Sequence, residues 1–164
     1  MCVRFMDNYY LRFPSVLRNA LNEKKIDFPD NLEMEYNQFL AFRGIRFIKN
    51  RKESLIREDF MSQIELKLQG NPFYSQTSEE DIDNYGVSLF CTKDELLTGF
   101  RLPRKNKAIA QGVVTSDLGA ISINKQNSHV LWFLYDNVHP EENFKVIEYY
   151  EKVDGSQEYR AIEL

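Results

Sequence analysis

Apolar residues follow a helical period early in the chain and a strand period later. Spacings of three and four positions predict helices over residues 14–24 and 58–69. Alternating or continuous apolar runs predict strands in the second half. These predicted strands cover residues 86–91, 109–115, 120–123, 129–135, 144–153 and 158–162.

Residues 39–48 form the most apolar predicted strand, with apolar side chains on both faces, which is typical of a central position in a sheet. A capping-box spacing of Thr92 and Glu95 predicts a short helix ending near residue 99. Asp154-Gly155 predicts a hairpin turn between the last two strands. With two helices before most of the strands, we expect an α+β fold in which N-terminal helices pack on a largely antiparallel, twisted β-sheet. The C-terminal half would form most of this sheet, within a single domain spanning residues 1–164.

Composition supports a folded protein without membrane contact. Of 164 residues, 43% are hydrophobic and 13% are aromatic, which is enough for a sizeable core. No apolar run approaches the ~20 residues of a membrane helix. The N-terminal residues lack the features of a signal peptide. Two cysteines, Cys2 and Cys91, favour a reducing compartment. We therefore expect a cytoplasmic location.

Charge is distributed unevenly around a net value of −4. Five bases and no acid lie between residues 43 and 52, and four bases and no acid lie between residues 101 and 107. Residues 136–164 carry eight acids and three bases. The segment from residue 71 to 85 is long, polar and acidic, which is typical of a functional loop, and we take Tyr85 at its end as a candidate binding residue.

Several polar residues share strand faces with apolar neighbours. A buried Arg43 would require a carboxylate or several carbonyl groups, and Glu148 is the candidate counter-charge for Arg43 or Arg46. Ser88 and His129 also lie on apolar strand faces. A packing pair and local hydrogen bonds would explain all of these residues without a site. A ligand is the alternative explanation, with Arg46 and His129 as binding residues.

Motifs for several common chemistries are missing from the sequence. The two histidines, His129 and His139, are ten positions apart, and there is no Cys-x-x-Cys pair, so we expect no metal site. The glycines form neither a phosphate-binding loop nor a nucleophile elbow.

The order of Arg43 in segment 42–44, Ser88 in segment 86–90 and Glu148 resembles ADP-ribosyltransferases of the Arg-Ser-Glu type. The resemblance implies NAD as cofactor and these three residues as the catalytic set. Arg43 would bind the NAD phosphates and Ser88 would order the nicotinamide site. Glu148 would stabilise the ribosyl cation or activate the acceptor. Val146 and Ile147 stand where the family has a second acid before its glutamate.

Three functional hypotheses follow. The first is a small, non-catalytic interaction protein without a cofactor, of the kind with which phages and mobile elements occlude a partner protein's surface. The second is the NAD-binding transferase. The third is a nucleic-acid-binding protein that uses the two basic stretches. The sequence leaves self-association open.

Overall fold

The strands of this chain form one antiparallel sheet, seen in a computed structural model that describes residues 9–47 and 54–164. Its strands are β1 (Phe39–Arg46), β2 (Val87–Phe90), β3 (Lys107–Val114), β4 (Gly119–Ile123), β5 (His129–Leu134), β6 (Phe144–Lys152) and β7 (Tyr159–Glu163). The helices are α1 (Ser15–Asn22), α2 (Gln63–Leu68) and α3 (Lys93–Gly99). Short 3-10 turns cover Arg57–Phe60, Pro72–Tyr74, Ile82–Tyr85 and Pro140–Asn143.

Strand β1 occupies the middle of the sheet, whose order is β4-β5-β2-β1-β3-β6-β7. The α+β class, the antiparallel pairing and the central position of β1 are thereby confirmed. The expected separation of early helices from late strands was wrong in part. Helices α2 and α3 follow β1, and the sheet draws on the chain from residue 39 to residue 163.

Local signals determine where the helices begin and end. Pro14 precedes α1, and the Thr92 hydroxyl accepts a hydrogen bond from the Glu95 amide at the start of α3, as the capping box predicts. The predicted helix over residues 58–69 is broken instead, because Ser62 starts α2 with its own capping box to Glu65. Within the described residues, no helix has the length and apolar character needed to cross a membrane.

The two faces of the sheet are covered differently. The helix face carries Phe42, Phe90 and Ile109, which pack beneath α3, while α1 covers the β4–β5 end of the same face. The opposite face, here called the loop face, carries Ala41 and Ile45 and is covered by the turn Arg57–Phe60. Both faces are therefore core, which explains why β1 is apolar on both sides.

Gly44 allows α3 to approach the sheet closely. The Phe100 ring, just after α3, lies so near Gly44 on the helix face that a Cβ atom there would overlap it. A glycine within a strand often marks such an approach. Gly44 therefore determines where Phe100 sits.

We predict that Gly44→Ala lowers the free energy of unfolding by about 1–3 kcal/mol, because the Phe100 ring must move. Urea denaturation of Gly44→Ala, Phe100→Ala and the double variant measures the effect. In the Phe100→Ala background the added methyl group has room, so its cost should fall below about 0.5 kcal/mol. Equal costs in both backgrounds would show that Phe100 is not what requires the glycine.

Candidate functional site

Strands β1 and β2 separate at the centre of the sheet. They pair at one position, Phe42 opposite Phe90, whereas β1 pairs with β3 along its entire length. The final residues of β1 and the first residues of β2 therefore lack a mutual backbone ladder. This divergence opens a cleft of about 880 Å³ among the described residues.

Arg43 joins the diverging strands from the loop face. Its Nη1 donates to the Ser88 carbonyl at 2.8 Å, and its Nε donates to the Asp59 carbonyl at 2.8 Å. The guanidinium also lies over the Phe60 ring, 5.7 Å from its centroid. Burial lowers the pKa of Arg43 to about 10, so the group stays charged at neutral pH. Two carbonyls therefore satisfy a half-buried Arg43, which is one of the alternatives expected from the sequence.

Glu148 pairs with Lys93, so its expected role as counter-charge to Arg43 was wrong. Glu148 is 4% exposed. The Lys93 amine donates to its Oε1 at 2.9 Å, and the Tyr150 hydroxyl donates to its Oε2 at 3.2 Å. Gly44 pairs with Ile109, and Ile109 pairs with Glu148, so Glu148 lies on the helix face. Arg43 lies on the loop face. The two side chains therefore lie on opposite sides of the sheet. Burial and the neighbouring Glu148 raise the pKa of Tyr150.

Ser88 and His129 form a hydrogen-bonded pair in the cleft. The two residues lie on neighbouring strands, and Ser88 Oγ is 2.6 Å from His129 Nε2. Burial lowers the pKa of His129, opposed by the negative charge of Asp83, so the ring is neutral at neutral pH. In the tautomer protonated at Nδ1, the serine hydroxyl donates to Nε2. A serine nucleophile uses this contact, although its histidine also needs an orienting group at Nδ1. The described residues provide no hydrogen bond there.

The cleft lining carries both signs of charge. Its cations are Arg43, Arg46, Arg104, Lys105 and Lys107, and its acids are Glu58, Asp59 and Asp83. The Phe73 and Tyr74 rings also line it. This charged lining favours ligands that carry charge over purely apolar ones. Within the described part of the chain, no group of three or more potential metal ligands occurs.

The structure brings together some of the predicted site residues and separates others. Arg43, Arg46, Ser88 and His129 all line the cleft, and Glu148 does not. Ser88 and Glu148 share a face but are three strand spacings apart, about 14 Å. Tyr85 is buried, at 8% exposure, and its hydroxyl donates to the Glu79 carbonyl. The Arg43, Ser88 and Glu148 side chains therefore do not meet in one cleft.

Sequence reasoning missed three important residues. Nothing in the local sequence shows that Lys93 reaches Glu148, because that contact depends on α3 packing over β6. Phe100 was signalled by Gly44, since a glycine inside a strand indicates close approach of another group. Phe73 had a weaker signal, an aromatic residue directly after Pro72 in a polar segment.

Comparison of the chain with protein-family models, with curated proteins and with solved structures found no match.

We predict that Arg43→Ala lowers the free energy of unfolding by about 2–4 kcal/mol, because two carbonyls lose a charged donor. Arg43→Lys should recover less than half of the loss, since one amine cannot reproduce the guanidinium fork. Chemical denaturation measures both variants. Arg160→Ala is the control, because its exposed ion pair with Glu151 contributes little. An Arg43→Ala protein of unchanged stability would contradict the bridging role.

We predict that Lys93→Met destabilises the protein by about 1–3 kcal/mol, because buried Glu148 loses its cation. Adding Glu148→Gln should restore part of this loss, since a neutral amide needs no counter-charge. Thermal and urea unfolding of the single and double variants measure the coupling. Lys145→Met, at an exposed position of β6, is the matched control. Strictly additive effects would exclude a direct pair.

Proposed function

We propose that this protein is a non-catalytic interaction protein that docks on a basic surface of a partner protein and occludes it. The contact surface is the acidic segment, residues 71–85, together with the acids Glu58 and Asp59 of the cleft lining. The observation that carries the proposal is the exposure of Phe73 to solvent. This residue is 86% exposed and lies on the 3-10 turn Pro72–Tyr74.

The turn that carries Phe73 is held by its own hydrogen bonds. Asn71 Oδ1 accepts from the Phe73 amide at 3.0 Å, and Pro72 occupies the first position of the 3-10 turn. The Tyr74 ring packs edge-on against Phe73, with 5.3 Å between the centroids. An aromatic side chain on a preorganised turn loses little entropy on binding, which suits an anchor residue.

The acidic segment is held by α2 and by its own contacts. The Lys67 amine of α2 donates to the Thr77 carbonyl at 2.8 Å and lies 3.4 Å from Glu79 Oε2. Within the segment, the Asn84 amide donates to the Ser78 carbonyl at 2.9 Å. The segment contains four acids and no base: Glu79, Glu80, Asp81 and Asp83. Its negative charge complements a basic surface, so the partner should offer an apolar pocket for Phe73 with Lys and Arg around it.

The NAD-transferase hypothesis fits the geometry less well than the interaction function does. Its three residues would have to face one nucleotide, yet Arg43 and Glu148 lie on opposite faces of the sheet, and Glu148 is closed in by Lys93 and Tyr150. It stays a prediction. We also propose a cytoplasmic location, where Cys91 would persist as a free thiol; burial raises its pKa and reduces its reactivity.

We predict that Phe73→Ser weakens partner binding at least about tenfold, because it removes the apolar anchor. The tagged protein is purified from the cells that naturally make it, the retained protein is identified, and its affinity is measured with purified components. Leu11→Ser is the matched control, because Leu11 is 72% exposed and does not line the cleft. Binding should also weaken as salt concentration rises.

Equal retention of the partner by wild-type, Phe73→Ser and Leu11→Ser proteins would overturn the assignment of this surface. So would a partner whose contact surface, mapped by cross-linking, is acidic. Retention of no protein above background by the wild type would overturn the interaction function itself.

A further inference from the structure

Two cations of the cleft lining lie on neighbouring strands of the sheet. Arg46 and Lys107 are direct register partners on β1 and β3, so their side chains leave the same face side by side. The Phe47 amide donates to the Asn106 carbonyl at 3.0 Å, so the ladder continues past them. Like charges placed directly opposite each other destabilise a sheet unless a further group compensates them.

Arg104 adds a third positive charge to the pair. Its guanidinium lies over the Phe100 ring at 5.8 Å from the centroid, and the Lys107 amine lies over the same ring at 5.1 Å. Phe100 is itself seated on Gly44, so the ring gathers these cations at one place on the cleft wall. Neither Arg104 nor Lys107 makes an ion pair with the described part of the chain.

The electrostatic environment of Lys107 reflects this crowding. Burial lowers the pKa of its amine, and the positive charges of Arg104 and Arg46 lower it further. An anion bound among the three groups would reverse the effect of those charges.

We propose that Arg46, Arg104 and Lys107 form a binding site for the phosphate groups of a nucleotide or nucleic-acid strand. Two guanidinium groups supply planar, paired donors and the amine supplies a compact charge, the combination that recognises phosphate oxygens. The cleft volume of about 880 Å³ accommodates a ligand of nucleotide size. The three cations share the cleft with acids of the surface proposed for the partner protein, yet phosphate binding would not require that partner.

Inorganic pyrophosphate is the first probe, with binding followed by calorimetry and by the melting temperature of the full chain. We expect saturable binding and a rise in melting temperature beyond that produced by sodium chloride of equal ionic strength. Lys107→Gln and, separately, Arg104→Gln should each weaken pyrophosphate binding at least about tenfold. Lys145→Gln, at an exposed lysine of β6, should leave the affinity within about twofold.

The stability of the ligand-free variants separates a binding role from a structural one. A site that concentrates like charges for a ligand should gain stability when one charge is removed. Lys107→Gln should therefore melt at the same temperature as the wild type or higher, while its response to pyrophosphate is lost. If Lys107→Gln melts lower and binds pyrophosphate as the wild type does, the cations have a structural role and the proposal fails. Arg104→Gln, at an exposed position, provides the same test independently.

The source of the phosphate is resolved by comparing adenosine triphosphate with a short oligodeoxythymidylate. Tighter binding of the nucleotide identifies a small-molecule site. Tighter binding of the oligomer, with a steep loss of affinity as salt rises, identifies a nucleic-acid strand. Failure of pyrophosphate, nucleotide and oligomer alike to give saturable binding would overturn the proposal.

Discussion

The Arg43 guanidinium holds together a sheet whose two central strands pair at one position only. Because β1 and β2 separate beyond Phe42 and Phe90, the Ser88 carbonyl faces a gap, and Arg43 donates to it from the neighbouring strand. The same side chain donates to the Asp59 carbonyl and so ties down the segment that covers the loop face. The cleft can remain open because this charged contact replaces part of the missing backbone ladder.

The cleft lining brings together groups of both charges. Arg104 and Lys107 lie over the Phe100 ring, and Glu58, Asp59 and Asp83 also line the cleft. No ion pair joins Arg104 or Lys107 to the described part of the chain, whereas Lys93 pairs with the buried Glu148 on the helix face. Under the two proposals, the acids would contact a partner protein and the cations would contact phosphate groups.

Arg43, Ser88, His129 and Glu148 interrupt apolar strand faces in the sequence, yet their partners depend on contacts that no local pattern contains. Arg43 and Glu148 looked like a pair because both interrupt apolar strand faces. They belong to opposite faces, since each residue's side is decided by the register of β1, β3 and β6. His129 and Ser88 were identified separately, and their hydrogen bond required β2 and β5 to become neighbours although residues 91–128 separate them in the chain.

The amino-acid sequence by itself determined the features that depend on a few neighbouring residues. These include the capping box at Thr92, the hairpin turn at Gly155, the glycine that ends α2, and the central character of β1. Only the tertiary structure decided which charge meets which partner and where the sheet opens. Such contacts join residues far apart in the chain, and their geometry follows from strand order, register and the side on which each helix packs.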